Sequence, residues 1–410
     1  MAVFSVHRRT RMGGRDPRES HRAATPLELL FDLTFVVAFG IAADELAHLV
    51  AEGHLGAGLI GFVFATFAVS WAWINFTWFA SAYDTDDWVF RLATMVQMLG
   101  VLVLALGLPV MFESVDEGVV VDNGVLVAGY VVMRVAMVFQ WLRAARQDPD
   151  RRRACRTYAT AISIAQLGWI ALLFAHTSVV VTFLWASLLV LVELAGPLIA
   201  ERRKGGTPWH PHHVAERYGL LVIIALGEVV LGTTVALAAI IEASGWSTDV
   251  ALLGLAGTGL TFGLWWVYFV LPGGHLLARH RERSFGWGYG HIVLFGALVA
   301  VGAGLHVAAF FLEEHSELGV PGTVVAVAVP VAVYLAAYYA LFAQLTRVYD
   351  PFHLLLVAVS GAFVAASVLL AVAGVPLVWC LLVLALTPWV TVVGYETVGH
   401  RHGDRVLGDA

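Results

Sequence analysis

The stretch TPLELLFDLTFVVAFG, residues 25–40, is a greasy helix that nonetheless carries two carboxylates, Glu28 and Asp32, near its start. Its apolar character decides the fold class, and its two acids raise the functional question. Of 410 residues, 60% are hydrophobic and 13% are charged, with a mean hydropathy of +0.81. A soluble domain carries about 25% charged residues, so this composition excludes an ordinary soluble globule. Apolar runs of about 20 residues, enough to cross roughly 30 Å of hydrocarbon, recur along the chain. The sequence therefore predicts an all-α, polytopic transmembrane helical bundle.

About twelve spans are expected, near 27–50, 56–80, 89–111, 123–143, 157–176, 179–200, 215–241, 249–271, 287–312, 321–344, 353–373 and 376–396. Residues 1–24 hold six arginines and no long apolar core, so they read as a basic tail and not as a signal peptide. Residues 25–396 then form the transmembrane domain and 397–410 a C-terminal tail. Twelve spans suit two six-helix halves. LELLFDLTFVVAFG and AERYGLLVIIALGE, each with a Glu at the boundary and a Gly further on, faintly echo that division.

The net charge of −6 says little about partners, because the charges are sorted by location. Arg8, Arg9, Arg11, Arg15, Arg18 and Arg22 precede the first span. RAARQDPDRRRACR (143–156), ERRKGGTPWHPHH (201–213) and ARHRERS (278–284) carry most of the other basic residues, with Arg347, Arg401 and Arg405. All fall on one side if twelve spans alternate, while the opposite loops FESVDEGVVVDNG and EEHSELG contain no Lys or Arg. The positive-inside rule then expects both termini in the cytoplasm. The partners expected are the lipid bilayer and a small ion or solute; short basic loops offer no nucleic-acid surface, and the oligomeric state is open. Cys155 and Cys380 form neither a disulfide framework nor a zinc site. No cofactor is expected.

A carboxylate at mid-membrane costs roughly 2.5–3.5 kcal/mol, so each one inside a span calls for a partner or a task. Glu28 and Asp32 share a helix face at i and i+4. Glu193 lies two turns inside the sixth span, Glu228 lies near the midplane of the seventh, and Arg134 and His306 are also deep. Arg217 and Glu228 are aligned on one face but about 16 Å apart along the axis, too far to pair directly. An ion pair between Arg134 and Glu228 is one structural alternative to a transport role. For Glu28, a first-turn acid favoured by the positive helix end is another.

Three of these segments carry a resemblance. LELLFDLTFVVAFG, YDTDDWVFR and HHVAERYGLLVIIALGEVVLG, in this order, resemble the bacterial low temperature requirement protein A family, and the likeness extends to WWVYF (265–269) and YGHIVLFGALVAVGAGL. It implies a polytopic inner-membrane protein linked to growth in the cold, without supplying a molecular activity. It also marks Glu28, Phe31, Asp32, Asp84, Arg91, Glu216, Arg217, Gly227 and Glu228 as signature positions.

Two loop clusters invite other chemistry. Asp84, Asp86 and Asp87 beside Arg91 suit Mg²⁺ held against a phosphate. Their structural alternative is Asp86 or Asp87 capping the third span while Asp84 pairs with Arg91. His210, His212 and His213 lie in a Pro-rich turn without a Cys or carboxylate nearby, a poor zinc site, and the metal question stays open. No G-x-S-x-G, H-E-x-x-H or G-x-x-x-x-G-K-[ST] pattern occurs, so no catalytic residue is assigned.

The reading that follows is a secondary transporter or channel with proton coupling. Its path candidates are Glu28, Asp32, Arg134, Glu193, Glu216, Arg217, Glu228 and His306. The alternative is a membrane-embedded enzyme or lipid-handling protein working at the cytoplasmic face through Asp84, Asp86, Asp87 and Arg91. A structural protein with neither activity is the third.

Overall fold

The computed structural model describes residues 9–17, 19, 22–203, 206–347 and 351–399, with Ser244 described by its backbone alone. Arg8, Arg18, Arg401, Arg405 and the C-terminal tail from residue 400 lie outside the described residues. The chain forms α1 (Pro26–Ala51), α2 (Leu55–Tyr83), α3 (Trp88–Leu106), α4 (Leu108–Glu117), α5 (Gly124–Gln147), α6 (Arg152–Leu173), α7 (Val179–Glu201) and α8 (Pro211–Ser244). It continues as α9 (Thr248–Phe269), α10 (Gly273–Arg279), α11 (Ser284–Leu312), α12 (Val320–Thr346), α13 (Pro351–Val372), α14 (Leu377–Ala385) and α15 (Thr387–Gly394). Among the described residues there is no strand.

Each of the twelve expected spans is helical. The third is shared by α3 and α4, broken at Gly107 just ahead of Pro109, and the last by α14 and α15, broken at Leu386 ahead of Pro388. Proline lacks an amide hydrogen and clashes with the preceding turn, so it restarts a helix more readily than it continues one. Eleven segments among the described residues are long and apolar enough to cross a membrane. The exception is α6. At 22 residues it is roughly 33 Å long, sufficient in length, but Arg156, Thr160, Ser163 and Gln166 lower its hydropathy.

Large apolar side chains stay exposed along the outer faces, among them Leu30 and Leu33 of α1, Leu184 and Leu191 of α7, and Leu354 and Leu369 of α13. Such surface is untenable in water and ordinary in lipid, where every backbone polar group is satisfied inside a helix.

The chain divides into two compact units that do not follow a six-and-six count. Unit 1 comprises Met1–Ala42 and Phe67–Arg217, and unit 2 comprises Ala43–Thr66 and Tyr218–Ala410, so α1, α2 and α8 each contribute to both. In unit 1, α3 lies against α5, α5 against α6, and α6 against α7. In unit 2, α11 is the most buried helix, with α12 along it, α13 beyond α12, and α9 against α14 and α15.

Candidate functional site

Unit 1 gathers the opening carboxylates around one arginine. Thr25 begins α1 with a capping box: its amide and hydroxyl donate to Glu28 Oε2 at 2.7 and 3.0 Å, and Glu28 N–H returns a bond to Thr25 Oγ1. The rest of the Glu28 carboxylate faces α8, with Arg217 Nη1 3.0 Å and His213 Nε2 3.2 Å from Oε1. One turn deeper, Asp32 Oδ1 accepts from Arg217 Nη2 at 2.5 Å and from Trp73 Nε1 at 2.6 Å. Because Glu28 only accepts, His213 must donate from Nε2, which fixes the proton on that nitrogen. The Arg217 guanidinium lies over the Trp73 and Phe76 rings, and Glu28, Asp32, His213 and Arg217 are all fully buried. Glu28 is thus both a first-turn cap and half of an interhelix ion pair.

A second buried pair in unit 1 joins α5 to α7. Arg134 Nη2 donates to Glu193 Oε2 at 3.0 Å, Trp71 Nε1 donates to the same oxygen at 2.8 Å, and Tyr130 O–H accepts from Arg134. The partner of Arg134 is therefore Glu193, which overturns its pairing with Glu228. Asn75, at a depth where an interhelix bond is plausible, instead donates to the Trp71 carbonyl of its own helix.

The DTDD run is a structural corner. Asp84 Oδ1 accepts from Asp86 N–H, closing a two-residue turn, and Asp86 adopts φ 45°, a left-handed value that Asp tolerates. Asp86 then grips exposed Arg91 through both guanidinium edges at 2.8 Å. Asp87 caps α3 through Phe90 N–H, accepts from Thr10 N–H, and pairs with Arg143 of α5. The expected cap is thus Asp87, while the partner of Arg91 is Asp86 and not Asp84. Burial opposes charge on Asp87, but Arg143 and the amide donors outweigh it and hold its carboxyl below the usual range. Asp84 is buried with no ion pair among the described residues; burial first, and then the nearby Glu28 charge, push it up to about 6. The residues before α1 are woven into this end: Met12 N–H donates to Gln147, Arg22 to the Ala80 carbonyl, and Ala24 N–H to exposed Glu216.

Unit 2 holds a carboxylate of another kind. Glu228 sits at the middle of α8, whose 34 residues run roughly 51 Å. It is buried, and among the described residues its Oε2 has no hydrogen-bond partner. At this level α8 and α11 approach closely. A Cβ on Gly302 would lie 2.6 Å from the Glu228 carbonyl, and one on Gly232 would lie 3.0 Å from His306 Cδ2, so only glycine fits at either position. His306 therefore stands about one turn from Glu228. Its Nε2 is buried without a partner among the described residues, and its Nδ1 meets Asp44 Oδ1 of α1 at 2.8 Å. The Asp44 side chain is 56% exposed. Asp44, His306 and Glu228 thus line up from an exposed end to mid-helix.

Residues 23–388 match the family described as bacterial low temperature requirement A protein. The chain belongs to that family. An uncharacterized protein of Rhizobium meliloti (strain 1021) is 28% identical over 325 residues, covering 74% of this chain and 73% of the relative. No solved structure matches.

The low temperature requirement A positions named from the motifs separate by role. Glu28, Asp32 and Arg217 converge, and Phe31 packs beside them with its ring centroid 3.8 Å from that of Phe76, the rings tilted. Asp84 and Arg91 belong to the DTDD corner. Glu216 is exposed and apart from the buried cluster, and a Cβ on Gly227 would meet nothing within 4 Å. The structure adds His213 and Trp73 to the Asp32 cluster, Arg143 to Asp87, and Asp44 to His306. Arg143 counts as a loop arginine by sequence because it opens a basic run; nothing local signals that it turns inward. Asp44 carries a signal, an acid within an apolar run, but its partner is more than 250 residues away.

Proposed function

We propose that this low temperature requirement A protein is a proton-coupled transporter or channel of the bacterial inner membrane, with its proton path in unit 2. The observation that carries this reading is Glu228: a carboxyl group at mid-helix, buried, about one turn from an imidazole and, among the described residues, with one oxygen unpartnered and no arginine paired to it. A proton reaching Asp44 passes to His306 Nδ1, the imidazole releases its other proton from Nε2 toward Glu228, and tautomer exchange resets the ring. Intramembrane acids and histidines in series are how proton relays are built. The one-sided basic loops support cytoplasmic termini, which turn the Asp44 end outward. Asp84, Asp86 and Asp87 support cytoplasmic-face chemistry less well, because each is engaged in turn, cap or ion pair.

The test is proton uptake into proteoliposomes under an imposed potential, followed with an internal pH dye. Wild-type uptake that disappears in Glu228→Gln and His306→Gln, with unchanged gel-filtration profiles, supports the path. Equal uptake in wild type and both variants removes it, as does the absence of uptake across a panel of cations and small solutes.

A further inference from the structure

The α6–α7 hairpin of unit 1 changes character at one level on both helices. Its register is set by Tyr158 O–H bonding Glu201 at 2.9 Å and by Gly196 closing on Ala161. Away from that end the outward side chains are apolar and exposed, including Ile164 and Leu167 on α6 and Leu188 and Leu191 on α7. At that end they are Arg153 and Arg156 on α6 and Arg202 and Arg203 just beyond α7, all exposed. Among the described residues none of these four guanidinium groups makes a hydrogen bond or ion pair. The nearby acids are largely spoken for: Asp148 pairs with Arg151, and Glu201 accepts from Tyr158 and from Thr207 at 2.5 Å. Asp150 is an exposed carboxylate in the turn that precedes α6.

We propose that this end of the hairpin binds the headgroup of an anionic phospholipid, its phosphate among Arg153, Arg156, Arg202 and Arg203 and its acyl chains along the apolar face of α6 and α7. Charge complementarity selects the headgroup: unpaired guanidinium groups offer paired donors that match phosphate geometry. The continuous apolar surface directly beneath them selects a lipid over a free anion, because it supplies the hydrocarbon contact that a soluble phosphate cannot use.

Native mass spectrometry of the detergent-purified protein tests this, with phosphatidylglycerol and phosphatidylcholine of identical chains as probes. Wild type is expected to retain phosphatidylglycerol about 10-fold over phosphatidylcholine at low salt, the worth of one to two arginines near a charged headgroup, and to lose that margin at high salt. The quadruple variant R153Q/R156Q/R202Q/R203Q brings the ratio near one, while R9Q/R11Q/R91Q/R279Q, with the same change in charge, leaves it in place. Equal retention of both lipids by wild type overturns the proposal, and so does equal loss in the two quadruple variants. Displacement of phosphatidylglycerol by inorganic phosphate at matched concentration would make this an anion site without a lipid, and overturns it too. The exposed positions of all four arginines keep folding out of the readout.

Discussion

In unit 1, Glu28 and Asp32 share Arg217, Glu193 holds Arg134, and Asp87 holds Arg143; in unit 2, Glu228 stands about one turn from an imidazole and, among the described residues, carries an unpartnered oxygen. An arginine stays charged at any physiological pH, so the acids beside one are locked into fixed pairs. An imidazole can gain or lose a proton, so the charge beside Glu228 is adjustable. Equal burial therefore has two meanings here. Unit 1 pairs these carboxylates with arginines on other helices, and unit 2 leaves Glu228 without an arginine partner among the described residues.

The sharpest way to break this comparison is Arg217→Met. It strands two buried carboxylates, and removing one partner of a buried pair costs about 3–5 kcal/mol. Thermal unfolding in detergent should show the largest loss of any single substitution in the cluster, with much of it restored when Glu28→Gln and Asp32→Asn are added. A loss no greater than that of Glu228→Gln would erase the distinction between the units. Arg134→Met should follow at about 3 kcal/mol, since one carboxylate is stranded and Trp71 still donates to it. Adding Glu193→Gln is expected to recover most of the loss, and an additive double variant would show that the two do not act as a pair.

Asp84 sharpens the comparison from within unit 1, as a buried acid with no ion pair among the described residues. Its carboxyl is raised from 3.8 to about 6 in the folded chain. The folded state thus holds this proton more tightly than the unfolded one, so the associated stability is full below about pH 4 and lost as pH rises through 6. By linkage the loss at neutral pH is on the order of 3 kcal/mol at most. Asp84→Asn keeps an acceptor for the Asp86 amide and removes the titration. Its melting temperature should exceed that of wild type at pH 7.5, and the gap should shrink to about a third of that size at pH 4.5. A constant difference across that range would place the effect in packing.

The helices were legible because lipid imposes a single rule: every span must be a continuous apolar helix of about 20 residues. Three segments strain that rule: α3–α4 and α14–α15 are each broken ahead of a proline, and α6 has the length but not the hydropathy. The acids were legible as exceptions to the same rule, since Glu28, Asp32, Glu193 and Glu228 stand out in apolar runs. Their partners were not. Arg134 and Glu193 are 59 positions apart, and His306 and Asp44 are separated by most of the chain, so helix packing alone decides who meets whom. Periodicity gives the face a residue occupies and is silent on the neighbour that face meets. Arg217 illustrates this: its alignment with Glu228 along α8 was readable, yet its partners lie across on α1. The DTDD run was half legible, because capping by Asp87 follows from local chemistry while the choice of Asp86 for Arg91 depends on a left-handed backbone turn.

The smallest expected effect on stability is also the most informative for function. Glu228→Gln keeps the shape of the side chain, removes no ion pair with an arginine, and leaves an amide where an uncompensated carboxyl stood. Replacing a poorly satisfied buried acid by a neutral isostere should change stability by about 1 kcal/mol or less. Yet the same change removes the one group on α8 that can bind and release a proton at mid-helix. Unfolding and proton uptake, measured on the same preparation, should therefore come apart, with stability near wild type and uptake absent. In Arg217→Met they should move together, because a loosened unit 1 loses folded protein and activity alike. If Glu228→Gln unfolds as readily as Arg217→Met, its carboxyl is a structural element after all, and the contrast between the two units dissolves.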